Sequence, residues 1–389
     1  MRRFLAGTAL LAALVLAAPA TAATVPKGPA GVDFYKTPDK FPSGHGAAIQ
    51  WRKLTGKAVL KGAGSNRLLL YRGEDQQGDA VAISGTVAVP KGKAPKGGWP
   101  VVTWGHGTIG IADACAPSLV GMPGTYDQPL MTKWLKAGYA VVRTDYEGLG
   151  VPGVTHPYLI GASEGRSMLD MVRAARKLDS SIGKSFVIAG HSQGGHAALW
   201  AASLAKKYTP ELKLKGTLAF APASHIGEQA GLLTALTTQK NLTPLASMIV
   251  RGIDVADPSL NVGTLLSDQA KVLYPQLDTT CLADLGEPTS FGGLAPADLF
   301  APGAALEPVV AALQKQDPED LKPSGPVLIE QGRADTTVIP TFTDSLVSDY
   351  KGRGVKVTYK TYDGLQHVPV VTDSKPAKDA VAFVKKELG

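Results

Sequence analysis

The chain has 389 residues, of which 44% are apolar, 19% are charged and only two are cysteines. This composition excludes a disordered or fibrous protein, and two cysteines are too few for a small disulfide-rich scaffold. The net charge of +7 is spread along the chain without a basic block or an aromatic-basic stripe. The sequence therefore does not favour nucleic acid as a partner.

The N-terminus has the pattern of a secretory signal peptide. Two arginines precede an apolar run at Phe4–Ala18, and the following segment Pro19–Ala23 contains an Ala-x-Ala site that predicts cleavage after Ala22. A transmembrane anchor is the alternative, but it requires about 20 apolar residues and no cleavage site. Residues 1–22 are therefore predicted to be a signal peptide, and the mature protein to be secreted without stable membrane insertion.

Beyond a linker-like segment at 25–40, alternating apolar residues predict a half-buried strand at Ala80–Pro90, and later short apolar runs predict strands buried on both faces. The predicted strands are Ala80–Pro90, Trp99–Trp104, Tyr139–Thr144, Ser185–Ala189, Leu214–Phe220, Pro326–Glu330 and Val355–Tyr359. Apolar residues at spacings of three and four predict intervening helices at Ser163–Leu178, Gly194–Tyr208 and Pro376–Leu388. Strands that alternate with helices indicate an α/β fold with a mainly parallel sheet.

The alternation of strands and helices stops between Phe220 and Pro326. This region has leucine-rich helical segments, such as 231–238 and 243–250, and no convincing strand. A structureless loop of about a hundred residues is implausible in a compact domain, so an inserted helical cap is predicted. The predicted domains are the first part of the core at 23–222, the cap at 223–324 and the last part of the core at 325–389.

Two segments match the pattern Gly-x-Ser-x-Gly. Gly190–Gly194 places Ser192 between a predicted strand and a predicted helix, which is the setting that a nucleophile turn requires. The second match centres on Ser163, which follows a turn-rich stretch and precedes a helix. An N-cap with Glu164 in the first helical turn explains that serine better. Ser192 is therefore the predicted nucleophile.

The segment Gly105–Gly110 matches the dinucleotide-binding pattern Gly-x-Gly-x-x-Gly. That site requires a helix directly afterwards, and the prolines and glycines of 117–124 are predicted to prevent one. His106-Gly-Thr108 after a buried strand instead fits an oxyanion loop whose backbone N–H groups face the site. No nicotinamide cofactor is predicted.

A serine nucleophile requires a histidine base and a carboxylate that orients it. Of the two histidines well beyond Ser192, His225 falls at the start of the cap and His367 follows the last predicted strand. Asp335 follows the strand before that one, where an acid is expected, whereas Asp363 is interpreted as a turn residue. The predicted catalytic triad is Ser192, Asp335 and His367.

Other candidate residues are given structural interpretations. His191 and His196, which flank the serine, are predicted to pack or form hydrogen bonds around it, and Asp145 to be a turn residue or a neighbour of the site. No zinc-type His-Glu-x-x-His pattern or carboxylate cluster occurs, so no metal or other cofactor is predicted. In an oxidising compartment Cys115 and Cys281 can form a bridge, or they can remain two buried thiols.

The chain resembles the secretory lipase family of α/β-hydrolases from about residue 80 to its end. The matching segments are His106–Thr108, Asp113–Ser118, Thr144–Gly148, Leu169–Ala174 and Gly190–Gly195, with Asp335 and His367 in matching order. The resemblance implies the same triad, an oxyanion hole formed by the backbone N–H of Gln193 and a group of the 106–113 loop, with Asp113 in that role, and a Cys115–Cys281 disulfide.

The predicted function is hydrolysis of carboxylic esters through an acyl-enzyme. The substrate is expected to be a small-molecule or lipid ester, and the protein a monomer. Two alternatives stay open. A serine peptidase could use the same triad, and a non-catalytic binding protein could share the fold.

Overall fold

A computed structural model describes residues 24–233 and 235–389, and the predicted signal peptide lies outside these residues. Within them the chain forms one nine-stranded sheet in the order β1-β2-β3-β5-β4-β6-β7-β8-β9. The strands are β1 (Ala48–Lys53), β2 (Ser65–Glu74), β3 (Ala80–Val89), β4 (Trp99–Gly105), β5 (Ala140–Thr144), β6 (Ile182–His191), β7 (Lys213–Phe220), β8 (Val327–Gly332) and β9 (Val357–Tyr362).

The sheet is antiparallel at one end and parallel elsewhere. β1, β2, β3 and β5 form antiparallel pairs, whereas the strands from β5 through β4 and β6 to β9 form parallel pairs. The predicted α/β architecture with a mainly parallel sheet is confirmed. Since neighbouring parallel strands end at the same edge, the loops after β4, β6, β8 and β9 converge there.

The helices of the described residues connect the parallel strands, as predicted, and several of them follow one another between β7 and β8. They are α1 (Pro117–Val120), α2 (Gln128–Lys136), α3 (Gly161–Leu178), α4 (Gln193–Tyr208), α5 (Ile226–Leu233), α6 (Thr243–Ala256), α7 (Val262–Leu265), α8 (Asp268–Leu273), α9 (Leu282–Leu285), α10 (Glu307–Gln314), α11 (Pro340–Gly352), α12 (Pro369–Thr372) and α13 (Ser374–Leu388). α1 is a correction: a single helical turn forms after β4, with proline at its start, where no helix was predicted.

Helices cover both faces of the sheet. α3 and α4 pack on one face through buried side chains such as Met168 and Ala198. α2 and α13 pack on the other face, where Trp134 and Val384 are fully buried. Strands covered on both faces must be apolar throughout, which is why the central strands are continuous apolar runs.

The two N-terminal strands were not predicted. β1 has the sequence Ala-Ile-Gln-Trp-Arg-Lys and is only partly buried, so it lacks an apolar run. β2 contains a buried run at 68–71 flanked by polar residues. The segment 25–40, interpreted as a linker, forms a 3-10 helix at Gly31–Tyr35 whose two aromatic side chains are buried. Packing on the antiparallel end of the sheet, rather than local pattern, therefore orders this region.

Between β7 and β8 the described residues form the helices α5 to α10, with an isolated bridge between Leu266 and Phe300. This region contributes most of one apolar cluster, with buried residues such as Met248, Phe291 and Leu313, and the cluster also includes Ile111 and Tyr158 from the loops below it. The structure therefore has a helical layer where the cap was predicted, and the boundaries 223 and 324 stay predictions. None of the helices in the described ranges is both long and apolar enough to cross a membrane.

Candidate active site

Ser192 lies on the sharp turn between β6 and α4. Its φ is 59° and its ψ is −118°, a backbone conformation that residues other than glycine rarely adopt. A Cβ at Gly190 would lie 2.0 Å from the carbonyl oxygen of Gly194, and a Cβ at Gly194 would lie 2.0 Å from the carbonyl oxygen of Gly105. Only glycine fits at these two positions, so the motif allows β4, β6 and α4 to approach closely enough to form the turn.

Asp335 and His367 are joined at the same edge of the sheet. Asp335 follows β8, and its Oδ2 lies 2.7 Å from His367 Nδ1. Asp335 Oδ1 accepts hydrogen bonds from the backbone N–H groups of Thr337 (2.8 Å) and Val338 (2.9 Å). The carboxylate is thus fixed by its own loop and holds the imidazole with Nδ1–H toward it, which leaves Nε2 without a proton and able to accept one. Asp363, the rival acid, is exposed.

Ser192 and His367 both line one large cavity. No hydrogen bond joins Ser192 Oγ to His367 in the part of the chain that the structure describes. In proteins without bound substrate such hydrogen bonds are often long or poorly aligned. The structure therefore brings the three predicted residues to one site, with Asp335 behind His367 and Ser192 facing the same space.

His191 supports the loop that carries His367. Its Nε2 lies 3.1 Å from the carbonyl oxygen of His367, and its Nδ1 lies 3.1 Å from the Tyr126 hydroxyl. Since the carbonyl can only accept, Nε2 carries the proton and Nδ1 accepts from Tyr126. Burial lowers the pKa of His191 well below its usual value, which keeps this ring neutral. The structure thus gives His191 the hydrogen-bonding role that was predicted for it.

Two of the three candidate oxyanion residues line the cavity, and the third does not. Thr108 and Gln193 line the cavity with Ser192, whereas Asp113 is not among the lining residues. Asp113 begins a 3-10 helix at Asp113–Cys115, where burial, reinforced by nearby Asp278, raises its pKa. Asp113 lies outside the lining of the cavity, and its oxyanion role stays an expectation of the family resemblance. Thr108 Oγ1 lies 2.6 Å from the Tyr158 hydroxyl, which fixes its side chain.

The cavity has a volume of about 890 Å³ and extends from Ser192 into the cap. Its walls in the cap are mostly apolar, with the polar Gln229, Gln239 and Asn241 beside Ile226, Leu245, Ile249, Phe300, Val309 and Leu313. A mostly apolar cavity that is also lined by a serine and a histidine suits a ligand with a hydrocarbon chain.

The disulfide between Cys115 and Cys281 is present. It joins the loop after β4 to the cap across a sequence separation of 166 residues. Gly110 forms an isolated bridge with Cys281, and the backbone N–H of Leu282 donates to the carbonyl oxygen of Ile109 at 2.9 Å. The loop that carries Thr108 is therefore attached to the cap by a covalent bond and by backbone contacts.

Ser163 is not a helix N-cap, which corrects its interpretation. It is the third residue of α3, and its hydroxyl donates to the Glu147 carboxylate. Burial raises the pKa of Glu147 to about 7. Glu164, expected only to lie in the first helical turn, is fully buried and contacts Gln193, His196 and Leu159.

Three other candidates have structural partners. Both ring nitrogens of His196 are bonded, to Glu164 and to the carbonyl oxygen of Gln316, in line with the predicted role. Asp145 accepts from the Ser84 hydroxyl (2.6 Å) and the Ser118 N–H (2.8 Å) and thereby holds the segment after Cys115. His225 pairs with Glu319 at the base of the cap. In the described ranges no three His, Cys, Asp or Glu side chains are grouped so that they could hold a metal ion.

Several residues next to the Ser192 turn come from distant parts of the chain, and they were not predicted from the sequence. Tyr126, Tyr158 and His156 come from loops without periodic signals, and their contacts with the site span 37 to 65 residues of sequence. The prolines and glycines beside them indicated only turns.

Comparison with known proteins gives one family and one fold. The profile of the family described as "Secretory lipase" matches residues 116–387. "Lipase A" of Moesziomyces aphidis is 32% identical over 278 residues, which are 65% of this chain and 56% of that protein. "Probable inactive lipase MT1628" of Mycobacterium tuberculosis is 26% identical over 328 residues, which are 79% of this chain and 70% of that protein. The chain spans about half the length of the fungal lipases it matches.

Among solved structures, the "rice cell wall degrading esterase LipA from Xanthomonas oryzae" superposes with a TM-score of 0.74 at 20% identity, covering 89% of this chain and 98% of that one. At this identity the likeness shows the fold alone. It is the α/β-hydrolase fold that the sequence analysis predicted.

Proposed function

The chain belongs to the secretory lipase family, and from that premise we propose that it is a secreted serine hydrolase that cleaves carboxylic esters through an acyl-enzyme. One observation carries the proposal: the Asp335–His367 hydrogen bond of 2.7 Å lies beside a cavity that Ser192 and His367 share. Family membership and the signal-like sequence of residues 1–22 support secretion.

The proposed reaction has two halves. In the first, His367 Nε2 takes the proton of Ser192 Oγ as Oγ attacks the ester carbonyl carbon. The tetrahedral intermediate then expels the alcohol, which receives that proton from His367. In the second half, water gives a proton to His367 and attacks the acyl carbon. The tetrahedral intermediate then expels Ser192 Oγ, which receives that proton from His367, and the carboxylic acid is released. Asp335 stays ionised and stabilises the imidazolium.

The developing oxyanion requires donors in place before the reaction. We propose the backbone N–H groups of Gln193 and Thr108. As the first residue of α4, Gln193 has an N–H with no acceptor inside the helix, and the positive end of the helix dipole adds to its effect.

The apolar cavity supports an ester with a hydrocarbon acyl chain as substrate. Burial of such a chain against the apolar walls would contribute roughly 0.8 kcal/mol of favourable binding free energy for each CH₂ group. The lining includes the amides Gln229, Gln239 and Asn241 but no Asp, Glu, Lys or Arg, so hydrocarbon surface predominates along that path. This favours an esterase or lipase over the serine peptidase of the same fold.

The first test is labelling with a fluorophosphonate, which reacts with an activated serine. The wild type is expected to be labelled and to hydrolyse p-nitrophenyl esters, and Ser192→Ala should lose both. Ser163→Ala is the matched control, because it removes the serine of the other Gly-x-Ser-x-Gly segment. Labelling that persists in Ser192→Ala would contradict the proposal.

A non-catalytic role has one specific observation in its favour, the relative named as a probable inactive lipase. The same assay separates the two cases, because a binding protein would be neither labelled nor active. Cleavage of aminoacyl amides faster than of esters would instead indicate a peptidase.

A further inference from the structure

We propose that His156 and Glu164 are positioning residues that hold Gln193, and with it the backbone N–H offered to the oxyanion. This inference rests on the proposed function and deepens it. His156 lies in the loop before α3, and Glu164 lies in the first turn of α3. Neither residue lines the cavity, so an effect on the reaction must act through the lining residues that they contact, and Gln193 is the one that both contact by hydrogen bonds.

The side-chain amide of Gln193 is held at both of its hydrogens. Its Nε2 lies 2.9 Å from His156 Nε2 and 2.8 Å from Glu164 Oε1. The opposite amide orientation would place Gln193 Oε1 against a carboxylate oxygen, which repels it. The side chain is 2% exposed, so water does not compete for these hydrogen bonds.

His156 has one protonation pattern that fits its partners. Its Nδ1 lies 2.7 Å from the carbonyl oxygen of Glu147 and must donate to it, so Nε2 is free to accept from Gln193. Burial lowers the pKa of His156 to about 4, which keeps the ring neutral near pH 7. The imidazole therefore acts as a fixed acceptor.

Glu164 is itself held in place. Its Oε1 accepts from the backbone N–H of Leu159 at 3.0 Å, and its Oε2 lies 3.3 Å from His196 Nδ1. The carboxylate also lies at the start of α3, where the helix dipole favours a negative charge. A rigid carboxylate fixes one hydrogen of the Gln193 amide in a defined direction.

The glycines of the second Gly-x-Ser-x-Gly segment allow this contact. A Cβ at Gly161 would lie 2.1 Å from Trp200 Nε1, and one at Gly165 would lie 2.9 Å from the backbone nitrogen of Ala201. Both neighbours belong to α4, so the two glycines let α3 approach α4 closely. The segment that resembles a second nucleophile motif thus brings Glu164 to the residue after the nucleophile.

The functional consequence concerns the backbone. Gln193 directly follows the strained Ser192, and its side chain is bonded to two elements outside α4. The direction of its N–H is therefore fixed before substrate binds, which is the condition for a donor that acts in the transition state. Loss of either partner should weaken oxyanion binding more than ground-state binding.

The test compares two inhibitors of the same chain length. A trifluoromethyl ketone forms a tetrahedral adduct with Ser192 and places an oxyanion in the hole, whereas the corresponding alcohol only occupies the cavity. For His156→Leu we expect the ketone to bind at least tenfold more weakly and the alcohol to change less than threefold. The kcat should fall with the ketone affinity while KM stays near its wild-type value.

Two further variants sharpen the comparison. His156→Gln can place an amide oxygen near the former Nε2, so it should recover part of the ketone affinity. Ser167→Ala is the matched control, because it removes a buried hydrogen bond of α3, 2.9 Å long, to the carbonyl oxygen of Ser163 without touching Gln193. Its ketone affinity should stay within threefold of wild type. If His156→Leu does not fold, Glu164→Gln takes its place, with a loss of at least threefold expected.

The outcomes separate this inference from the proposed function. A wild type that neither hydrolyses esters nor binds the ketone contradicts the proposed function itself. An active wild type whose His156 and Glu164 variants bind the ketone normally overturns only the positioning role. Equal weakening of ketone and alcohol also overturns it, because the residues would then support the cavity and not the oxyanion donor.

Discussion

Asp335 and His367 are 32 residues apart in the chain, and a hydrogen bond of 2.7 Å joins their side chains. We predict that Asp335→Asn lowers kcat/KM for p-nitrophenyl butyrate by about 10³–10⁴-fold, because the amide no longer holds Nδ1–H or stabilises the imidazolium. Asp344→Asn, which changes an exposed acid paired with Arg333, is the matched control and should keep its activity. More than a tenth of wild-type activity in Asp335→Asn would contradict the prediction.

The Tyr126 hydroxyl is expected to affect kcat through its hydrogen bond to His191. Tyr126→Phe removes the donor to His191 Nδ1, 3.1 Å away, and leaves that nitrogen unpaired at a cost of about 1 kcal/mol. Because His191 also holds the carbonyl of His367, we expect kcat to fall roughly three- to tenfold. Tyr350→Phe, which loses a buried hydrogen bond to Pro318 far from the cavity, should be destabilised similarly with unchanged kcat. Equal kcat in the two variants would disprove the role.

Glu147 should make stability depend on pH. Burial raises the pKa of Glu147 to about 7, so the folded protein holds a proton that the unfolded chain releases near its ordinary pKa of 4.5. Its contribution to the free energy of unfolding is therefore fully present below about pH 4.5 and is lost as the pH rises to about 7, by roughly 3 kcal/mol.

Glu147→Gln should flatten that decline and raise the Tm at pH 8 relative to wild type. Thermal unfolding followed by circular dichroism at several pH values measures the effect. Glu307→Gln, which neutralises an exposed carboxylate of α10, is the control. Parallel pH profiles for wild type and Glu147→Gln would show that burial does not shift this group.

The cavity in the cap should set the acyl-chain preference. Ile249→Trp adds bulk to its wall, so we expect kcat/KM for p-nitrophenyl palmitate to fall at least tenfold while that for the acetate changes less than threefold. Val272→Trp adds the same bulk to an exposed site of the cap, 78% accessible, outside the cavity. Its chain-length profile should match wild type. The same loss on acetate and palmitate in Ile249→Trp would mean that the chain binds elsewhere.

Removing the disulfide should destabilise the protein. For a loop of 166 residues the chain-entropy model gives a stabilisation of roughly 4–5 kcal/mol, so Cys115→Ser with Cys281→Ser should lower the denaturant midpoint clearly. Unfolding in guanidinium chloride with and without reductant provides the measurement. An unchanged midpoint under full reduction would contradict the prediction.

The sequence predicted the strands of the parallel region because their burial on both faces leaves continuous apolar runs. It missed β1 and β2, which pair at the antiparallel end of the sheet and whose partly buried charged residues interrupt the apolar pattern. Ser192, Asp335 and His367 could be proposed from the sequence because the chain order of this fold restricts the histidine and the acid to the loops after particular strands. Those assignments stay predictions until the variants are measured.

The support around the nucleophile could not be predicted in the same way. His156, Glu164 and Gln193 meet across 29 to 37 residues, and each alone is compatible with a turn or a helix start. The path of the 106–113 loop depends on the disulfide and on contacts with the cap, which no local pattern describes. Asp113 was therefore proposed from the family resemblance alone, and it is not among the residues that line the cavity.

β7 and β8 pair directly, through residues such as Leu218 and Leu328, although the whole helical insertion lies between them in the chain. The register of the sheet thus does not depend on what the insertion contains. We therefore expect that these helices can be exchanged for others, which would change the molecules that enter the cavity, while the strands that carry the candidate site keep their places.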